Sequence, residues 1–253
     1  LAYSHFLKKI SIIVPSRQLK RDKNLKHFYR PVTSLPDLIA SARQNVSIDH
    51  EMVVVVNGET DKKLLDYIHI EKVEKFCINN LNVGVSRAWN MGRQLAEGEY
   101  LLFVNDDVTI GKGAVERMMK CLEDEPTVGM VGPHGANWKG AQFTLKFEDG
   151  KTEVYSDVIL GFCFMVRAKD FDQVGGIDLN YTPAGMEEID FCYSLRKHGF
   201  KMKVLANLDV VTEPRHGISA LNTTVNYFNS SVNTEALHER NKAYFKNKWG
   251  DLA

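Results

Sequence analysis

Two apolar runs, Ile10 to Val14 and Met52 to Val56, break off sharply at Pro15 and at Asn57-Gly58. Apolar runs without alternation are the pattern of strands buried on both faces, and the residues that end them belong to loops. Between the two, Ser34 to Gln44 places Leu35, Leu38, Ile39 and Ala42 on one helical face, with Ser34 as cap and Pro36 near the first turn. The three segments form a β-α-β unit. The pattern continues with Asp61 to His69 as helix, Val73 to Ile78 as strand, Val85 to Ala96 as helix and Tyr100 to Val104 as strand. Gly113 to Glu123 then reads as helix and Val128 to Val131 as strand. This alternation predicts a mainly parallel sheet covered by helices on both faces. Such sheets carry ligands at the carboxyl ends of their strands, so Pro15-Ser16, Asn57-Gly58 and Asn105-Asp106-Asp107 are expected to share one crevice.

The character changes after Pro133. Gln142 to Phe147 and Lys151 to Tyr155 flank Glu148-Asp149-Gly150, the signature of an antiparallel hairpin, and Asp157 to Arg167 follows as a strand. Glu187 to His198 reads as a helix stopped by Gly199. Met202 to Leu205 and Asp209 to Val211 read as short strands, and Thr234 to Trp249 as a polar amphipathic terminal helix.

The 32 basic and 32 acidic residues cancel, which removes any global field that would steer the chain toward nucleic acid. Cys77, Cys121, Cys163 and Cys192 lack metal-ligand spacing, and a reducing compartment is the simpler setting. The longest apolar runs are too short to cross a bilayer. Because the chain opens on Leu1, it is read as a possible piece of a larger multidomain protein.

Several residues can carry chemistry. Asp106 and Asp107 follow directly on the apolar strand Tyr100 to Val104, and their mutual repulsion would be relieved by a divalent cation such as Mg²⁺ or Mn²⁺. Taken alone, the pair also fits a turn or a helix cap. The segment Asn82 to Gly92 offers a helix start with Ser86 as cap and Arg87 in the first turn, suited to a diphosphate, although an N-cap beside a solvated Arg reads the same way. Met186-Glu187-Glu188-Ile189-Asp190 places three acids in the first turn of a helix, as capping charges or as a general base. His216, beside Gly217 in a loop, is either structural or a metal ligand.

In order and spacing, residues 9 to 219 resemble the family 2 glycosyltransferases of GT-A fold, particularly the rhamnosyltransferase-like members. The match runs through Ser11-Ile-Ile-Val-Pro-Ser16, Val54 to Asp61, Gly84 to Gly92, Asn105 to Val108, Gly175-Gly-Ile-Asp178, Glu187 to Phe191 and His216. The resemblance implies an α/β GT-A domain over 1–219, with a nucleotide-binding half at about 9–132, an acceptor half at about 133–219 and a helical tail at 220–253. It places Pro15, Ser16, Arg17, Asn57 and Glu59 around the nucleotide, with Arg87 and Asn90 beside them or the diphosphate. Asn105 and Asp106 would contact the donor, Asp107 would hold the metal, His216 would make a second contact to metal or phosphate, and Gly161 would line the sugar pocket. Glu188 aligns with the family's catalytic Asp, with Glu187 before it. This chain departs from the family pattern in Arg17, which replaces an aromatic residue, in the shortened Asn57-Gly58 loop, and in Glu188, one methylene longer than Asp. The last departure leaves the base open between Glu187 and Glu188.

The implied reaction is an inverting, metal-dependent transfer from a UDP- or dTDP-sugar to a hydroxyl of a glycan or glycolipid. The expected place is the cytoplasm, with the inner membrane face as a peripheral site. The alternative is a catalytically silent sugar-nucleotide or glycan-binding domain of a larger synthase. A nucleotidylyltransferase would need a glycine-rich loop where Pro15-Ser16-Arg17-Gln18 stands. A dinucleotide fingerprint would need a third glycine after Gly111-x-Gly113.

Overall fold

The computed structural model describes residues 9–19, 33–58, 62–139, 142–144, 152–212 and 222–250. Its first half alternates strand and helix: β1 (Ile10–Ser16), α1 (Leu35–Asn45), β2 (His50–Asn57), α2 (Lys62–Ile70), β3 (Lys75–Asn79), α3 (Val85–Leu95) and β4 (Tyr100–Val104). A short β5 (Val108–Ile110), α4 (Ala114–Asp124), β6 (Val128–Gly132), β7 (Gly135–Lys139) and β8 (Gln142–Thr144) follow. Next come β9 (Glu153–Ser156), β10 (Val158–Ile159), β11 (Cys163–Arg167), α5 (Ala168–Gln173), α6 (Glu187–Lys197), β12 (Lys201–Leu205) and β13 (Val210–Thr212). The described chain ends with β14 (Thr224–Tyr227), β15 (Ser230–Asn233) and α7 (Thr234–Trp249).

Eight strands form one sheet in the order β3-β2-β1-β4-β11-β6-β12-β9. The pairs β3-β2, β2-β1 and β1-β4 are parallel, whereas β11 runs antiparallel to both β4 and β6. Alternation along the strands divides the core into two layers. Ile10, Ile12, Val14, Leu102 and Val104 face α1 and α4, and Ile13, Val53, Leu101 and Phe103 face α3, α5 and α6. An aromatic stack fills the second layer, with Phe103 5.0 Å from Phe164 and 5.2 Å from Phe171, and Trp89 edge-on to Phe164 at 5.3 Å.

One expectation is corrected, and another falls partly outside the described residues. Among the described residues, the arms of the hairpin expected across Glu148-Asp149-Gly150 pair elsewhere. β8 pairs with β7, while β9 pairs antiparallel with β12 at the edge of the large sheet; residues 145–151 lie outside the described residues. The charges explain the choice of β9, since Lys203 on β12 forms ion pairs with Glu153 of β9 and with Glu125. The single strand expected over Asp157 to Arg167 is two, β10 and β11, separated by a turn at Leu160 to Phe162. A further pairing, β5 with β13, also escaped the sequence reading.

Residues 222–250 form a hairpin and a helix. The helix docks into the second layer, with Phe245 buried 5.0 Å from the ring of Tyr193. Among the described residues no helix is long and apolar enough to cross a membrane.

Helix α3 lies so close to the sheet that a Cβ on Gly92 would sit 2.2 Å from Cγ2 of Ile13. Gly92→Ala is therefore expected to destabilise the fold by about 1–3 kcal/mol through overpacking. Chemical denaturation would show it, and combining the change with Ile13→Ala should cost less than the sum of the two single variants.

Candidate active site

Strands β1 and β4 lie side by side, but the chain leaves β1 toward β2 and arrives at β4 from α3, so a crevice opens over their carboxyl ends. Across it the buried Ser16 hydroxyl donates to Oδ2 of Asp106 at 2.7 Å, tying the two strand ends together. Asp107 is buried as well, at 5% exposure. Pro15 and Asn105 are half-buried at the lip, and Arg17 is exposed. The amide of Asn105 donates to the carbonyl of Phe162 at 2.9 Å, which sets the acidic turn beside the turn that divides β10 from β11.

That second turn carries Gly161, on which the Glu188 side chain rests. A Cβ at Gly161 would lie 3.2 Å from Cδ of Glu188, and the Gly161 backbone N–H donates to the Glu188 carboxylate. The expected sugar-pocket glycine and the expected acid are thus neighbours. Helix α6 starts at Met186, held in the left-handed region at φ 71°, and presents Glu187 and Glu188 on its first turn. The two acids differ in setting. Glu187 is 7% exposed and its Oε2 is buried with no hydrogen-bond partner. Burial, followed by repulsion from Glu188, pushes its carboxyl well above the usual carboxylate range. Glu188 is half-buried, and burial raises its carboxyl too, opposed by backbone N–H groups that include those of Gly161 and Ile189. Asp190, the third acid, faces away from the crevice and accepts from Tyr181 at 2.9 Å, Trp249 at 2.7 Å and Lys248 at 2.8 Å.

The remaining expected residues divide. Asn57 is buried at the end of β2, and its side chain holds the next loop, accepting from Val83 N at 2.8 Å and donating to Gly84 O at 3.3 Å. Asn90 spends both ends of its amide on the backbone of Ile177, at 2.8 and 3.0 Å, and so fastens α3 to the segment after Gly175-Gly176. Arg87 stands in the first turn of α3 with Nε buried and unpartnered and its guanidinium carbon 5.7 Å from the centre of the Phe228 ring. Glu59 and His216 lie outside the described residues.

Sequence reasoning missed the clamp behind the acids. Asn241, fully buried in α7, donates to the carbonyls of Tyr181 at 3.2 Å, Ala184 at 3.0 Å and Gly185 at 2.8 Å. Arg240 donates to Thr182 O at 2.6 Å. The clamped loop also meets α3, since Pro183 O accepts from Val85 N at 2.8 Å and a Cβ at Gly84 would lie 2.8 Å from Pro183 Cα. A single loop therefore spaces the start of α3 from the start of α6. A polar residue in the middle of a polar helix gave no sign of this task.

Among the described residues no three or more His, Cys, Asp or Glu side chains cluster as a ready-made metal cage. The donor set nonetheless suits Mg²⁺ or Mn²⁺. Such ions take one or two carboxylates and complete their shell with water and substrate phosphates, and Asp107 supplies a buried carboxylate at a crevice mouth.

The sheet order, with its parallel half and the antiparallel β11, is that of a GT-A glycosyltransferase. Its fold is similar to the crystal structure of GalNAc-T7 with UDP, GalNAc and Mn²⁺, at a TM-score of 0.64 and 15% identity over 80% of this chain and 43% of that one. The profile described as "Glycosyl transferase family 2" matches residues 28–173, more than half of the chain, and the chain belongs to that family. A protein of Haemophilus influenzae described as an uncharacterized glycosyltransferase is 24% identical over 122 residues, 48% of this chain. The matched stretch spans 37% of that relative's length.

A carboxyl whose pKa is raised on folding costs stability as pH climbs from its unfolded value through its folded one, because the unfolded chain then binds fewer protons than the native state. Glu187→Gln removes that cost. The variant is expected to melt higher than the parent at pH 7–8, with the difference vanishing toward pH 4, as thermal scans across pH would record.

Proposed function

We propose that this chain transfers a sugar from a UDP- or dTDP-sugar to a hydroxyl of a glycan or glycolipid, with inversion and with a divalent metal, in polysaccharide or cell-surface glycan synthesis. One observation carries the reading: the hydrogen bond from Asn105 to Phe162 sets the acidic turn holding Asp107 beside Gly161, on which Glu188 rests. The contacts of Asn105 with Phe162 and of Gly161 with Glu188 thus link the turn of the candidate metal carboxylate to that of the candidate base. The UDP and Mn²⁺ bound to GalNAc-T7, which shares the fold, agree with this assignment.

In this mechanism Asp107 holds the cation, which when bound supplies positive charge to the departing diphosphate. Arg87 and the first turn of α3 add charge and N–H dipoles along the nucleotide. Glu188 takes the proton from the acceptor hydroxyl as that oxygen attacks the anomeric carbon. The bond to the diphosphate breaks on the opposite side, and the nucleoside diphosphate leaves with the bonding pair. Of the two acids Glu188 is the better base, because burial lifts its carboxyl toward the working pH while the Gly161 amide keeps it aimed. Glu187 is more deeply buried, and burial and repulsion from Glu188 both raise its carboxyl. Residues 9–132 then serve the donor and 133–219 the acceptor.

Thermal scans with UDP, dTDP or GDP, each with and without Mn²⁺, test the donor site, because a ligand of the native state raises the melting temperature. A metal-dependent rise for one nucleotide, absent in Asp107→Ala, is expected. A well-folded sample that responds to none of them would refute the donor site. Glu188→Gln should keep that rise yet lose roughly 10²-fold or more in turnover. Nucleotide binding by the parent without any transfer or hydrolysis would instead identify a silent binding domain.

A further inference from the structure

The hairpin of β14 and β15 ends at Tyr227 and Phe228, and its tip reaches back over the start of α3. The amide of Phe228 donates to Asn82 O at 2.9 Å, and the Asn82 side chain donates to Asn226 O at 2.7 Å. The Tyr227 hydroxyl donates to Oγ1 of Thr182 at 2.9 Å. Asn82 in turn lies against the end of β2, where a Cβ on Gly58 would come within 2.9 Å of its amide. Hairpin tip, Asn82 and Gly58 therefore form one continuous wall over the ends of β2 and β3.

At this tip Phe228 adopts φ 49°, the left-handed region that a bulky L side chain rarely occupies. The residue is 42% exposed, with the Arg87 guanidinium carbon 5.7 Å and the Tyr227 ring centre 4.7 Å from the centre of its ring. An apolar ring held exposed in an unfavourable backbone conformation is costly, and a stacking ligand would offset that cost.

The direction of the crevice identifies the ligand. Gly161 and Glu188 lie on the β11 side of β4, Asp107 follows β4 itself, and the hairpin lies two to three strands away, over β2 and β3. At about 4.8 Å per strand that separation is roughly 10–14 Å, the reach of an extended nucleoside diphosphate. With the reacting sugar near Glu188 and the diphosphate near Asp107, the base falls at the hairpin. Resting on the donor-site reading above, we propose that Phe228 is a base-stacking residue whose exposed side chain packs against the nucleobase of the donor.

Calorimetric titration of the full chain with UDP, dTDP and GDP in the presence of Mn²⁺ tests this, together with nuclear Overhauser contacts from the base protons to labelled phenylalanine rings. For the nucleotide that the parent binds, Phe228→Ala should weaken binding about tenfold or more, whereas Phe228→Trp should stay within about threefold of the parent. A contact between base and ring, lost in Phe228→Ala, is the accompanying expectation. Unchanged affinity in Phe228→Ala, or a saturated parent complex without that contact, overturns the proposal and leaves the donor site standing. A parent chain that binds none of the three nucleotides refutes the donor site, and the stacking role with it.

Discussion

Strand β1 is hydrogen-bonded along both edges, to β2 on one side and to β4 on the other, in parallel register throughout. Parallel neighbours cannot be joined by a tight turn, so each must be reached through a helix. The chain leaves β1 through α1 toward β2 and enters β4 from α3, so a gap opens above the shared ends of β1 and β4. The contact from Ser16 to Asp106 closes the floor of that gap with side chains alone. The acidic turn after β4, the loop after β2 and the start of α3 all take their places from this one arrangement.

The acids opposite the crevice depend on a different support. Helix α6 begins in a sharp left-handed turn at Met186, and the loop before it makes few backbone hydrogen bonds of its own. Asn241 and Arg240 satisfy the carbonyls of that loop from behind, while Asp190 binds Lys248 and Trp249. Charge is thus divided along one helical turn: Asp190 is neutralised by a cation and fixes the helix, Glu187 is stripped of water, and Glu188 remains half open. From sequence the three acids read as capping charges or a general base, with the base left open between Glu187 and Glu188.

The first half of the fold was legible because its strands are continuous apolar runs with clear stops, as in Ile10 to Val14 and Tyr100 to Val104. The second half was less so. Leu160 to Val166 is apolar enough to read as one strand, and Gly161 alone did not reveal the turn that brings it against Glu188. The partner of β9 was set by Lys203, about fifty residues downstream, beyond the reach of any local turn signal. In the candidate site, Asp106 and Asp107 stood out from their position after a strand, and Glu188 from the family resemblance. The tethering uses of Asn57 and Asn90 depend on backbone groups that only the folded chain brings near, and the hairpin tip at Phe228 lies in a segment whose sequence suggested only a tail.

The grip of Asn241 on Tyr181, Ala184 and Gly185 also bears on the order in which the protein is built. As the chain emerges from the ribosome, β1 to β12 can assemble into a sheet, and the acidic turn after β4 can take its shape. The carbonyls of Tyr181, Ala184 and Gly185 gain the Asn241 donor only once α7 has been made. The sheet can therefore be complete while the loop ahead of α6 is still untethered, so the surroundings of Glu188 are fixed later than those of Asp106 and Asp107.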